Sequence, residues 1–417
     1  RPMTRSRPHP DPAPGRGRPP RAALLALALG AFVIGTAELV AIGVLDLVAR
    51  DTGVSVSTAG QLVTAYALGV CVGGPLLTVA TTRVARTTVL RLTLVAYIGG
   101  NLVAALAVSF DLVVVARVLT GSVHGLFVGV ASVVAASLVP PSRRGMAMST
   151  VFGGIAVATV LGVPLGTLVG SAWGWQAAFA GVVALGCAAL VATIALVPPV
   201  AARGARTAST QLRAALAPRV LVLLGVGFLV IGAQFTAFTY LAPFLREVTG
   251  VSPGTVSLFL LAFGAASAVG TALGGKAADR DPAMTLVVAN VALLGALGGV
   301  ALLGSTSGAL AVVLVLWGLV GFGLVPALQL RVVTLAGQGA DVAATLGASA
   351  VNAGIAVGAL VGGWAVDTRG VQSVAVVALV VCALALPLTW ASRTLQPEAA
   401  PRDDPGTPPA APVEATA

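Results

Sequence analysis

Glu38 lies in the stretch FVIGTAELVAIGV, residues 32–44, within an apolar run that begins at Ala22. An ionisable group in such a setting is costly to keep and reads by default as functional. A second apolar run carries Arg117 and His124, in ARVLTGSVHG. Residues three, four and seven apart share a helical face, so Arg117, Gly121, His124 and Val128 form one stripe. Carboxylate, guanidinium and imidazole are the groups that bind, release and steer protons. An imidazole with an ordinary pKa of about 6.5 suits a proton relay, although a lone His on an apolar face equally hydrogen-bonds a neighbouring helix, and that plainer reading comes first. At 1.5 Å per residue, Glu38 sits about six residues from one end of its helix and Arg117 about five from the same end of another, at similar depth. They could pair. The alternatives are packing beside an aqueous vestibule, or a static ion pair that only fixes two helices.

These residues need a scaffold that spans hydrocarbon. With 57% hydrophobic and 9% charged residues and a mean hydropathy of +1.00, the chain has too little charge to cover a soluble surface. It reads as an all-α membrane protein. A span needs about 20 apolar residues, and the sequence divides at that rhythm into helices near 22–44, 57–79, 88–109, 112–139, 146–169, 176–197, 220–244, 254–275, 283–303, 309–331, 343–366 and 371–391. The expected organisation is a basic N-terminal tail at 1–21, a six-helix bundle at 22–198, a connecting loop at 199–219, a second six-helix bundle at 220–391 and a tail at 392–417, with both tails disordered. The chain opens on Arg1, which leaves open whether a segment precedes it. The first apolar run is too long for a signal-peptide core and is read as a retained helix.

The net charge of +10 is topological. Placing the N-terminus in the cytoplasm puts Arg83, Arg86, Arg91, Arg143, Arg144, Arg203, Arg206, Arg213, Arg219, Lys276 and Arg280 on the cytoplasmic side. The opposite side then keeps Arg50, Arg246 and Arg369, as positive-inside requires. Both termini are expected in the cytoplasm, with lipid head groups rather than nucleic acid as the partner of the basic charge. Cys71, Cys187 and Cys382 fall within apolar runs and imply neither disulfides nor a metal. The absence of G-x-x-x-x-G-K-[ST] argues against ATP hydrolysis, and no cofactor is expected. The two halves echo each other: Gly73 and Gly74 close the second helix, and Gly274 and Gly275 the eighth, as in transporters built from repeats.

The order of GTAE at 35–38, AGQLVTAYALGVCVGGP at 59–75, ARVLTGSVHG at 116–125, LGVPLG at 161–166 and GGKAADR at 274–280 resembles the major facilitator superfamily, in particular its twelve-helix drug:proton antiporter branch of chloramphenicol-resistance and arabinose-efflux-like exporters. The resemblance covers roughly 22–393. It implies two pseudo-symmetric six-helix bundles and a proton-transfer role for the arginine of R-x-x-x-G, here Arg117, near Glu38; for His124 it adds nothing to the two readings above, relay or hydrogen bond to a neighbouring helix. It implies gating and close packing by Gly153, Gly162, Pro164 and Gly166 of the fifth helix, across the interface between the halves, and by Arg83, Gly275, Asp279 and Arg280 at cytoplasmic turns. The first, fourth, seventh and tenth helices would line a substrate cavity, which nominates Gln234, Phe235, Phe238, Tyr240, Trp317 and Phe322. There are departures: Thr82 stands where the family carries an Asp, Ala85 replaces a glycine, and the fifth helix reads Gly162, Pro164, Gly166 rather than ending in Gly-Pro.

The function expected is proton-coupled export, by a monomer in the cell membrane, of a small amphipathic compound such as chloramphenicol or a related metabolite. A sugar or nutrient transporter of the same fold is the alternative. A polytopic membrane enzyme is a distant third, because the chain holds two histidines and one of them, His9, is in the tail. Asn101, Asn290 and Asn352 are expected to bond between helices, and Gln329 and Arg331 to lie at the cytoplasmic end of the tenth helix, where Arg can snorkel.

Overall fold

Helix starts are written into the sequence. Ser55, Ser109, Ser252 and Asp281 each cap a helix by accepting from the backbone N–H three residues on, and Pro218, Pro253 and Pro282 occupy first turns, where the missing N–H costs nothing. Gly53, Gly174, Gly250 and Gly370 take positive φ after or between helices, a backbone state that glycine reaches without strain. A computed structural model describes residues 20–81, 83–140, 144–201, 213–337 and 340–396. Thr82, Arg143, Arg203, Arg206 and nearly all of both expected tails lie outside the described residues.

Among the described residues, 12 helices are long and apolar enough to cross a bilayer. The first span is Pro20–Gly43. The second runs Val56–Leu68, passes through a π-helical turn at Gly69–Gly73 and ends Gly74–Ala80. The third is Arg86–Ala105, the fourth Phe110–Ser137, the fifth Arg144–Trp173 and the sixth Trp175–Leu196. The seventh is Pro218–Phe238, the eighth Pro253–Ala278 and the ninth Pro282–Leu303. The tenth is Ser307–Ala336, the eleventh Ala340–Arg369 and the twelfth Ser373–Ala391. This is a multi-pass membrane protein: every backbone polar group in hydrocarbon must be satisfied within its own helix, and exposed Leu92, Leu119, Leu258 and Leu384 present an apolar exterior.

Two helices are absent from the sequence reading. Leu45–Thr52 follows the first span and Leu241–Glu247 follows the seventh. Counting apolar residues to the thickness of a bilayer assigns 45–56 to a loop and runs the seventh helix through to 244. The helical backbone is distorted at Val44 (φ −113°, ψ 11°) and Tyr240 (φ −106°, ψ 16°), and a short helix follows each; taken with its short helix, the seventh span runs Pro218–Glu247.

Close packing repeats between the halves. A Cβ at Gly69 or Gly73 of the second span would overlap Val118 or Ser122 of the fourth, and one at Gly270 or Gly274 of the eighth would overlap Leu319 or Gly323 of the tenth. Likewise, Gly154, Gly166 and Gly170 of the fifth span press on Ala28, Val40 and Val44 of the first, while Gly354, Gly358 and Gly362 of the eleventh press on Phe228, Gly232 and Thr236 of the seventh. Small residues one turn apart let backbones touch. One apolar core gathers Leu27, Ile34, Tyr97, Phe127 and Phe179 from the first six spans. The other gathers Leu223, Phe263, Trp317 and Leu324, and also takes Leu39, Ile42, Val63 and Val163 across from the first half.

These contacts correct the expected glycine roles. A Cβ at Gly153 would meet open space and one at Gly275 only Pro326 at 4.0 Å, so the neighbours Gly154 and Gly274 carry the packing. Gly162 and Gly166 face Thr36 and Val40 of the first span, within the same half rather than across the interface. The fifth span meets the other half through Gly264 of the eighth, where a Cβ would crowd Thr159 and Val160. Pro164 lies inside the fifth span, and its missing N–H frees the Val160 carbonyl from the helical ladder. Pro326 does the same to Phe322 in the tenth span, whose carbonyl accepts from Thr271 Oγ1 at 3.5 Å.

Candidate functional site

Glu38 is placed by its own span and by the fifth span behind it. Gly35 packs on Ala158 and Gly162 on Thr36, so the first and fifth spans are in close backbone contact on either side of Glu38. On the fourth span, Gly121 gives the clearance that matters: a Cβ there would overlap the Tyr66 carbonyl, and its absence lets the second span come close enough for Tyr66 to reach His124.

Arg117 is 1% exposed. Its Nη1 donates to the Ala37 carbonyl at 2.7 Å, Nη2 to the Glu38 carbonyl at 3.1 Å and Nε to the Leu62 carbonyl at 3.2 Å. Its guanidinium lies 4.0 Å from the centre of the Tyr66 ring, a cation–π contact strengthened by desolvation. A buried charge needs such partners, and the planar fork of arginine supplies the geometry to bridge three carbonyls on two helices. The pairing of side chains considered from depth alone is therefore replaced: Arg117 holds the main chain of the first and second spans, and the Glu38 carboxylate points elsewhere.

It points to His124. Glu38 Oε2 lies 3.8 Å from His124 Nδ1, with the Glu38 side chain 22% exposed. The same Nδ1 is 3.0 Å from Tyr66 Oη, Tyr66 Oη is 3.1 Å from Tyr97 Oη, and Tyr97 Oη donates to the Ile34 carbonyl at 2.9 Å. Asn101 steadies the third span by donating to the Tyr97 carbonyl, a bond within its own helix and not between helices. The cluster thus joins the first four spans around one carboxylate. Among the described residues no group of three or more His, Cys, Asp or Glu is arranged to hold a metal ion.

Sequence reasoning missed Tyr66 and Tyr97. The signal was present in a chain with 3 tyrosines: a phenol buried in an apolar helix needs a hydrogen-bond partner, and the stripe of Arg117 and His124 offered one.

In the second half, the nominated cavity residues face one another in this conformation. Trp317 Nε1 donates to Gln234 Oε1 at 3.2 Å, and Gln234 Nε2 donates to the Gly321 carbonyl at 3.1 Å. Phe238 stacks on Phe263 at 4.9 Å between ring centres, and Phe235, Trp317 and Phe322 complete the cluster edge to face. Asn290 bonds between helices to Thr389 and accepts from Cys382. Asn352 bonds within its own helix. Arg331 does not snorkel. It is buried and donates to the Ser392 and Leu395 carbonyls, tying the tenth span to the end of the twelfth. Arg83, Asp279 and Arg280 are exposed at their turns.

At the end of the molecule distal to the chain termini the halves are tied by polar contacts. Buried Asp46 pairs with Arg246 of the other half. Ser57 donates to Asp367, and Tyr240, whose Oη donates at 2.9 Å to the Ala359 carbonyl of its own half, reaches across to the Ser57 carbonyl at 3.5 Å. Tyr240 is therefore an interface residue, wedged against Gly60 and Gly363.

A family model described as the Major Facilitator Superfamily matches residues 27–346. YtbD, named as an uncharacterized MFS-type transporter of Bacillus subtilis (strain 168), is 38% identical over 379 residues, covering 90% of this chain and 96% of its own. A chloramphenicol resistance protein of Streptomyces lividans is 34% identical over 385 residues, covering 91% and 98%. Among solved structures, a bacterial homolog of the human lysosomal transporter Spinster superposes with a TM-score of 0.75 at 17% identity, over 90% of this chain and 97% of that one. That likeness shows the fold.

Proposed function

This chain belongs to the Major Facilitator Superfamily and is a membrane transporter, and from that premise we propose that it exchanges protons for a small amphipathic compound, exporting it by alternating access. The observation that carries the proposal is the setting of Glu38. Its carboxylate is mostly buried, and Arg117, the nearby cation, is bound to main-chain oxygens. Glu38 is thereby left facing a titratable imidazole. Burial and a neighbouring guanidinium act on the proton affinity of a carboxyl in opposite senses. A rearrangement that alters either one changes its occupancy, and each pKa unit so gained corresponds to about 1.4 kcal/mol of coupling.

The conformational half of the cycle draws on the distal contacts. Asp46–Arg246, Ser57–Asp367 and the packing of Tyr240 on Ser57 and Gly60 join the halves at one end, and a transporter that opens there must break them. In the orientation argued from the basic turns, that end faces outward and both termini lie in the cytoplasm. Substrate would enter between the halves from the cytoplasmic side. The aromatic cluster of Phe235, Phe238, Trp317 and Phe322, with Gln234 as its polar member, supplies the mixture of apolar surface and hydrogen-bonding groups that an amphipathic ligand needs. The similarity to a chloramphenicol resistance protein favours an antibiotic of that size as the compound.

The reading is tested in proteoliposomes. Purified protein with an imposed pH gradient is expected to drive uphill movement of chloramphenicol, or of another compound from an antibiotic panel, and to release protons as it does so. Uphill movement of sugars alone would favour an importer, and transport indifferent to the gradient would remove the proton coupling.

A further inference from the structure

The hydrogen bonds around His124 fix which of its nitrogens carries the proton. Tyr97 Oη bonds the Ile34 carbonyl at 2.9 Å. A carbonyl only accepts, so the single phenolic proton of Tyr97 is committed there. In the 3.1 Å contact between the two phenols, Tyr97 must then accept and Tyr66 donate. The proton of Tyr66 is now spent as well, and its oxygen presents only lone pairs to His124 Nδ1 at 3.0 Å. That contact is a hydrogen bond only if Nδ1 bears the proton. We propose that Tyr66 and Tyr97 are positioning residues that hold neutral His124 as its Nδ1–H tautomer, leaving the Nε2 lone pair as the proton-accepting atom of the site.

Histidine in water favours the opposite tautomer, and the partner of one ring nitrogen decides the state of the other. The groups that bear on the imidazole are Glu38 from the first span, Tyr66 from the second, Tyr97 from the third and Arg117 from its own. Glu38 Oε2, at 3.8 Å from Nδ1, is beyond hydrogen-bond reach in this conformation and takes the Nδ1 proton when the first and fourth spans bring the two together. This part of the inference rests on the proton-coupling reading. A proton arriving on Nε2 makes the imidazolium, and loss of the Nδ1 proton to Glu38 leaves a protonated carboxyl and a neutral ring bearing its proton on Nε2. Rotation of the Tyr66 hydroxyl from Tyr97 toward Nδ1 accommodates that second tautomer, and rotation back restores the first when Glu38 returns its proton to Nδ1 and the Nε2 proton departs. One proton enters and one leaves, and one is held throughout.

The chain carries 2 histidines, so His9→Gln leaves a single imidazole to observe. With 15N-histidine in that background, reconstituted in lipid bilayers at pH 9, where an ordinary imidazole is neutral, solid-state NMR reads the tautomer directly. The expected spectrum has Nδ1 protonated and Nε2 bare. In Tyr97→Phe, the Tyr66 hydroxyl loses its acceptor and turns to Nδ1, so the two signals interchange; Tyr66→Phe is expected to give the Nε2–H form too. Three results would overturn the proposal: an Nε2–H ring with both tyrosines present, a doubly protonated ring at that pH, or an unchanged spectrum in Tyr97→Phe. The first two need no variant that might misfold. No transport is measured, so this result stands or falls separately from the proton coupling itself.

Discussion

Arg117 reaches Glu38 through the main chain: Nη2 donates to the Glu38 carbonyl at 3.1 Å, while the Glu38 carboxylate lies 3.8 Å from His124 Nδ1. The relationship separates two jobs. Arg117 ties the main chain of the first and second spans to the fourth, and the carboxylate faces the imidazole.

Lysine at position 117 would keep the charge and lose the fork. It can serve one of the three carbonyls well, and each charge-assisted bond is worth about 1.5–3 kcal/mol. Arg117→Lys is therefore expected to destabilise the protein by about 3 kcal/mol or more, seen as a lower thermal midpoint in detergent at fixed scan rate. An unchanged midpoint would contradict the clamp.

Adjacent glycines in the fifth span should behave differently. Gly154→Ala drives a methyl into the Ala28 carbonyl, whereas Gly153→Ala fills open space. Overpacking of this kind costs about 1–3 kcal/mol, so the first variant should lose stability and transport while the second matches the parent protein. Equal behaviour of the two would mean that the first and fifth spans are not held as described.

The contrast between those glycines shows what the sequence could and could not tell. The spans were legible because hydrocarbon thickness sets a length and apolar composition marks it, and Glu38, Arg117 and His124 stood out as polar groups in apolar runs. The phase of each helix was not. Gly153 and Gly154 differ by one residue, about 100° of rotation, and uniformly apolar helices carry no amphipathic signal to fix it. The same blindness hid the turn of Arg117 toward carbonyl oxygens, since backbone acceptors leave no trace in residue types. It also hid the short helix that buries Asp46, which composition alone assigns to a loop.

Asp46 and Arg246 should hold the distal end shut. In a background without Cys71, Cys187 and Cys382, a cysteine replacing Leu39, buried between the halves, reports opening by its labelling with an impermeant thiol reagent added outside cells. Asp46→Asn is expected to raise the labelling rate about tenfold, the factor that corresponds to about 1.4 kcal/mol of lost closure. The exchanged pair Asp46→Arg with Arg246→Asp should return part of it. No change in either variant would remove the latch.

Topology has its own check. A cysteine replacing Ala208, in the basic segment joining the halves, should resist the same reagent in intact cells and react once they are opened, because arginine-rich segments stay in the cytoplasm. Ready labelling of sealed cells would invert the orientation and, with it, the direction of transport.

The most direct test of the account is the behaviour of Glu38→Gln in liposomes. Glutamine keeps the shape of the side chain and cannot titrate. The variant is expected to insert, to bind compound and to exchange it across the membrane at equal concentrations, but to lose the uphill movement that a pH gradient drives in the parent protein. Full gradient-driven accumulation by Glu38→Gln would show that the proton is carried elsewhere.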